Sequence, residues 1–248
     1  MYKLFLVSLV VLAVTRPVHA QNTIFLTHGK IEYERRINVF AQIGNDDDQW
    51  SEFRKKLSNH FKTSYFDLLF TRDKSIYRPG RESNDREMFN FWQAPAQDNI
   101  VYSDLENAKT ISQKNVFETL FLVQDSLRQI KWKITDETRV IAGFNCRRAN
   151  AIIMDSIYVV AFYTDEIITT GGPESFTGLP GMILGISLPH QHISWFATKV
   201  EAVAIPEAQV VPPAKGKKVD NAALQATLRP ILKDWGRWGQ QYLEAILL

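Results

Sequence analysis

The chain has 248 residues, 29 Lys and Arg against 27 Asp and Glu, 45% hydrophobic residues and a single cysteine. Near-neutral charge without a basic stripe makes the chain a poor candidate for binding nucleic acid or anionic lipid through its overall charge, and one cysteine excludes a disulfide framework within the molecule. The hydrophobic content is ordinary for a globular protein, and a chain of about 200 residues or more buries a real core.

Residues 1–20 read as a signal peptide rather than as fold. Lys3 supplies a short positive region, residues 4–14 an apolar run, and Val18-His19-Ala20 a small-residue cleavage pattern. A retained anchor helix is the alternative, but the run is short of the about 20 apolar residues a span needs. Cleavage after Ala20 predicts a periplasmic or secreted protein that does not span the membrane. Gln21 in place of Cys argues against a lipoprotein anchor. Loss of Lys3 and Arg16 brings the mature chain to formal neutrality.

Residues 21–205 are expected to form one β-rich domain. Ile31, Tyr33, Ile37 and Val39 alternate with polar residues, predicting a strand over 29–40. Asn45-Asp46-Asp47-Asp48 then precedes Trp50, Phe53, Leu57 and Phe61, which share one helix face. The acids lack the ligand spacing of a calcium loop, so they are expected to cap that helix. Strands follow over 64–70, 75–78 and 99–103. A long loop over 78–97 carries Phe89, Phe91 and Trp92, expected to pin it to the body.

From 109 to 200 the pattern is a run of short antiparallel strands. Ile130, Trp132 and Ile134 alternate with Lys131 and Lys133. Phe144, Cys146 and Arg148 give way to Ala149, Ala151 and Ile153 after a change of facing. Asp155-Ser156 marks a hairpin turn, and strands resume over 157–163, 182–188 and 193–201. Residues 206–219, with Pro212-Pro213 and several lysines, read as a linker. Residues 220–248 read as an amphipathic helix with Leu224, Leu228, Ile231, Trp235, Trp238, Tyr242 and Ile246 in one stripe, kinked at Pro230. The expected fold class is therefore α+β: a mostly antiparallel, curved sheet, a helix near the N-terminus and an amphipathic C-terminal helix.

Gly178-Leu179-Pro180-Gly181 is the sharpest local signal. In Leu179-Pro180-Gly181-Met182, Pro presets φ and Gly supplies a positive φ, predicting a type II turn that feeds a buried strand.

Several elements together resemble the GLPGLI family of exported Bacteroidota proteins. They are Asn99-Ile100-Val101-Tyr102-Ser103-Asp104, Trp132-Lys133-Ile134-Thr135, the stretch from Ile141 to Ala149, the stretch from Phe162 to Ile167, Gly172-Pro173, and Gly178-Leu179-Pro180-Gly181-Met182-Ile183. Met182 stands where the name-giving motif has its second Leu, and a common Trp is missing before Tyr163. The resemblance runs over about residues 30–201. It implies an envelope protein with a curved sheet and no established activity, and it supplies no catalytic residues.

Three chemistries are open. His190 and His192, two apart, could face one way on an extended chain and suit copper or zinc; Cys146, His28 and His60 are the candidate further ligands, against a water-satisfied turn and a buried inert thiol. Hydrolysis has no motif: G-x-S-x-G, H-E-x-x-H, a P-loop and a dinucleotide fingerprint are all missing, and Asp165-Glu166 would point to opposite faces of a strand. A non-enzymatic binding or assembly module, taking a peptide, lipid or outer-membrane partner, is the reading the residues favour. Trp235, Trp238 and Tyr242 are its candidate partner-binding residues if the helix does not simply pack across the sheet.

Overall fold

The computed structural model describes residues 25–43, 61–83 and 94–248. The leader, the acidic cluster with the helix begun at Trp50, His60, and the aromatics Phe89, Phe91 and Trp92 lie outside those residues.

Alternation along β1 (Gly29–Asn38) places Ile31, Tyr33, Arg35 and Ile37 on one buried face. That face sets the inner side of the sheet. Strands β2 (Phe61–Phe70), β3 (Lys74–Pro79), β4 (Ile100–Asp104), β5 (Lys109–Val116) and β6 (Thr119–Ser126) meander outward from it in chain order. Strands β7 (Lys133–Ile141), β8 (Phe144–Ile153), β9 (Ile157–Thr164), β10 (Met182–Leu188) and β11 (Ile193–Glu201) start at the far edge and return to pair β11 with β1. With β12 (Lys217–Val219), parallel to β6, the result is one 12-stranded mixed sheet.

Tight turns make the meander possible. Phe117-Glu118, Ala142-Gly143 and Met154-Asp155 each hold two successive positive-φ residues at a hairpin tip, the primed turn whose twist matches the flanking strands. The change of facing in β8 is present: Cys146, Ala149, Ala151 and Ile153 are buried.

The α+β expectation is corrected. The molecule is sheet-dominated, and among the described residues its α-helices are three short ones: α1 (Val39–Ile43), α2 (Asn221–Leu232) and α3 (Gly236–Leu247). Phe61, expected to end a helix, opens β2 instead. Its apolar ring suits a strand start as well as a helix face, and one residue cannot separate periods of 2 and 3.6.

The chain after β11 is a strap rather than a free linker. Ile205 and Val210 pack against Leu69, Ile76 and Tyr102 on the outer face. β12 then extends the edge at β6, and Asp220 caps α2 by accepting a hydrogen bond from the Ala223 amide at 2.7 Å. The helices lie on the inner face, with Leu224, Leu228, Leu232, Leu243 and Ile246 against Val116, Phe121 and Val123. The predicted single helix is two. Pro230 stays inside α2, and the break falls at Lys233–Trp235, closed by Gly236 at φ +56°. Splitting lets both helices turn leucines to the sheet, which one kinked rod would not.

Contacts of α3 require strong curvature. The Lys114 ammonium on β5 donates to the Ile246 carbonyl, while Gln191, between β10 and β11, bonds Glu244. Five inter-strand spacings separate β5 from β11, about 24 Å on a flat sheet. Residues two apart on one helix reach both only if the sheet curls around them. Among the described residues no helix is long and apolar enough to cross a membrane.

Candidate functional site

The inner face is divided by chemistry. Around β8–β11 it is aliphatic, with Ala149, Val159, Ala161, Ile186 and Leu188. Around β1–β5 it carries buried polar residues: Arg35, Ser64, Ser75, Asn99, Thr110, Ser112 and Lys114. Arg35 lies in register between Ser64 on β2 and Trp195 on β11. Tyr77 on β3 stacks on Phe66 at 4.8 Å, and Phe66 also faces the Arg35 guanidinium at 5.2 Å.

The segment between β9 and β10 crosses this face and roofs it. Thr169 bonds the Thr71 carbonyl at 2.7 Å, Trp132 holds the Thr177 carbonyl at 2.8 Å, and Gly171 pairs with Met182. Phe176 and Leu179 go into the core. Glu174, 2% exposed at φ +51°, accepts from the Asn99 side chain at 3.2 Å and lies within electrostatic reach of Arg35, Lys114 and Tyr77. Helix α3 closes the other side. The Ile246 and Leu247 carbonyls accept from Lys114 and Arg128, each at 2.5 Å, and the Leu248 carbonyl accepts from the Ser175 hydroxyl.

The polar set is incompletely satisfied. Arg35 spends one nitrogen on the Pro95 and Ala96 carbonyls, at 3.2 and 3.1 Å, and its other two nitrogens have no hydrogen-bond partner among the described residues. The Tyr77 hydroxyl, one Glu174 oxygen and the Trp195 indole N–H are also buried without a hydrogen bond. The indole sits close enough to influence the Tyr77 phenol but does not meet bonding geometry. Buried polar groups in native proteins are nearly always paired, and leaving one unpaired costs about 1–3 kcal/mol. Four such side chains lie together on one buried face of the sheet.

Burial governs the protonation of this set. It pushes the Glu174 carboxyl up, against the pull of Arg35, Lys114 and Asn99. It lowers Lys114 from 10.5 to about 8, with Glu174 opposing and Arg128 adding. The unfolded chain therefore binds more protons at Lys114 between those two values, and the residue's contribution grows more favourable as pH rises through that window. The stability gap between the parent and Lys114→Met is expected to move toward the parent by up to about 3 kcal/mol from about pH 7.5 to 10.5. Denaturant titrations at the two pH values measure it, and a gap that does not move contradicts the assignment.

The residues singled out by sequence fall elsewhere. His190 and His192 stand on the β10–β11 turn, His192 at φ +56°, so they are not alternate positions of an extended strand. Cys146 is fully buried on β8, its thiol pushed up to about 12 chiefly by burial. His28 is bonded to Thr27 at the start of β1. Among the described residues no three His, Cys, Asp or Glu side chains gather to hold a metal. Gly181 has the positive φ expected, +146°, and Gly178 also has one, +93°. The type II turn is corrected: the Gly181 amide bonds the Leu179 carbonyl at 2.8 Å, a three-residue closure about Pro180. Trp235 and Trp238 are partly exposed, and Tyr242 is half-buried.

Arg35, Tyr77, Asn99, Lys114, Glu174 and Trp195 were not among the sequence candidates. Arg35 had a signal: a charge at the inward phase of Ile31, Tyr33 and Ile37. Lys114 likewise shares the phase of Thr110, Ser112 and Val116. Glu174 sits in an aperiodic loop and had none.

Residues 152–185 match a family described as "Protein of unknown function (Porph_ging)". The match takes in the Phe162 to Ile167, Gly172-Pro173 and Gly178 to Ile183 elements but does not carry the GLPGLI name. No curated protein matches the chain. Among solved structures, PNGF-II in a C2 crystal form is similar at a TM-score of 0.53 and 15% identity, over 80% of this chain and 32% of that one. The same protein in a P21 form gives 0.51 and 15%, over 78% and 32%. An uncharacterized conserved protein from Thermus thermophilus gives 0.38 and 4%, over 77% and 90%. The PNGF-II likeness is one of fold, and this chain spans about a third of PNGF-II's length.

Proposed function

We propose that the protein is a non-enzymatic binding module of the cell envelope whose ligand surface is the inner face of its curled sheet. The observation that carries this reading is the unpartnered buried set of Arg35, Tyr77, Glu174 and Trp195. A fold that needed only a core would fill the same positions with aliphatic residues, as it does around β9 and β10. Donors outnumber acceptors there, and Arg35 and Lys114 outweigh Glu174, so the occupant is polar, with acceptor oxygens. Envelope location rests on the leader-like first twenty residues. The fold's place within the longer PNGF-II fits a module that works beside other domains.

The test is native mass spectrometry of protein extracted gently from its own host. A reproducible noncovalent adduct on the folded chain is expected, and a chain that emerges empty from several preparations would remove the proposal.

A further inference from the structure

The helical hairpin shows solvent a surface apart from the buried polar set of the inner face. Phe117 at the β5–β6 tip is 40% exposed, Ile231 52%, Trp235 48% and Trp238 37%. These are not scattered. The Phe117 ring stacks on Tyr242 at 5.3 Å and meets Trp235 edge-on at 5.5 Å, with Trp235 and Tyr242 6.0 Å apart. Trp238 lies one turn before Tyr242 on α3, on the same helix face. Phe117 keeps φ +49°, so the hairpin holds a large apolar ring at a strained turn position where glycine or asparagine is the usual choice.

Cations border these rings. Lys217 pairs with Phe121 across the β12–β6 edge, four residues from Phe117, and Lys215 lies two residues nearer the tip, whereas Lys218, opposite Leu122, takes the other face of the sheet. All three are exposed and make no ion pair among the described residues. Arg229 and Lys233 add exposed cations on the hairpin. Glu118 and Asp234 are the acids in these stretches, and Asp220 and Asp125 are committed to the start of α2.

We infer that this surface docks on an anionic phospholipid bilayer, the aromatic cluster settling at headgroup depth and the lysines facing the phosphates. Amphipathic rings are favoured at that depth, an exposed helix face with basic flanks lies in the interface plane, and an anionic leaflet attracts each nearby cation. The opposite faces of both helices are already spent on the sheet through Leu224, Leu228, Leu232 and Leu243, so docking needs no unfolding. The inference is independent of whether the inner face takes a ligand.

Flotation with vesicles tests it, on protein purified in the form it takes in its host. The protein is expected to float with mixed phosphatidylglycerol and phosphatidylcholine vesicles at low salt, and not with phosphatidylcholine alone. Either pair, Trp235→Ser with Trp238→Ser or Lys215→Glu with Lys217→Glu, is expected to weaken binding about tenfold or more. Failure to float with the anionic vesicles, equal flotation with both kinds, or variants that bind like the parent overturns the inference. Brominated lipid provides a check free of any folding defect in the variants: it should quench part of the parent's tryptophan emission, and unchanged emission counts against docking.

Discussion

Gly181→Val is expected to lower stability by about 3 kcal/mol or more, a drop of roughly 6–12 °C in melting temperature for a chain of this size. Two causes act at once. Gly181 has φ +146°, which a β-branched residue resists. Any Cβ built there also overlaps the backbone carbonyl of Thr164, at the end of the neighbouring strand β9. A side-chain tip could swing aside, but a carbonyl held in the β9–β10 ladder cannot. Gly181→Ala should therefore lose most of what the valine variant loses, because the first carbon does the damage. Both melts can be read by circular dichroism. Variants within a degree or two of the parent would show that the approach of β10 to Thr164 is wrongly described.

Leu228→Asp is expected to lift the helical hairpin off the sheet while the strands persist. Leu228 is 1% exposed, within the cluster formed by Phe121, Val123, Leu224, Leu232 and Leu243. A carboxylate there has no described partner, and burying it costs several kcal/mol, which the hairpin avoids by moving away from the sheet. Limited proteolysis should then cut within residues 220–248, with the strand signal in circular dichroism retained. Ala226→Asp, exposed on the same helix, is the control and should resist the protease like the parent. Equal resistance of the Leu228 variant would mean that the hairpin is not held by this cluster.

Much of the sheet was legible because one buried face imposes a period of two. Ile31, Tyr33 and Ile37 announce β1, and the shift from Cys146 to Ala149 announces a change of facing that the structure contains. Class was not legible. The strap from Ile205 to Val219 has prolines and lysines of linker type, and only tertiary contact with Leu69, Ile76 and Tyr102 makes it part of the fold. The helical stripe from Leu224 to Ile246 has a continuous period, yet packing broke it at Gly236, where a positive φ costs glycine little. At the site, Arg35 and Lys114 stood in inward phase and could have been found. Their convergence on Glu174 depends on a loop crossing the bowl, which no periodicity encodes.

The proposed ligand binding at the inner face is tested most directly by recording that native mass spectrum on the parent and on Arg35→Met side by side. The methionine keeps an unbranched apolar stem but removes the two unpartnered nitrogens. A noncovalent adduct on the parent that is lost from an equally folded Arg35→Met is the predicted result. An adduct retained undiminished by the variant, or a parent that carries none, would contradict the account.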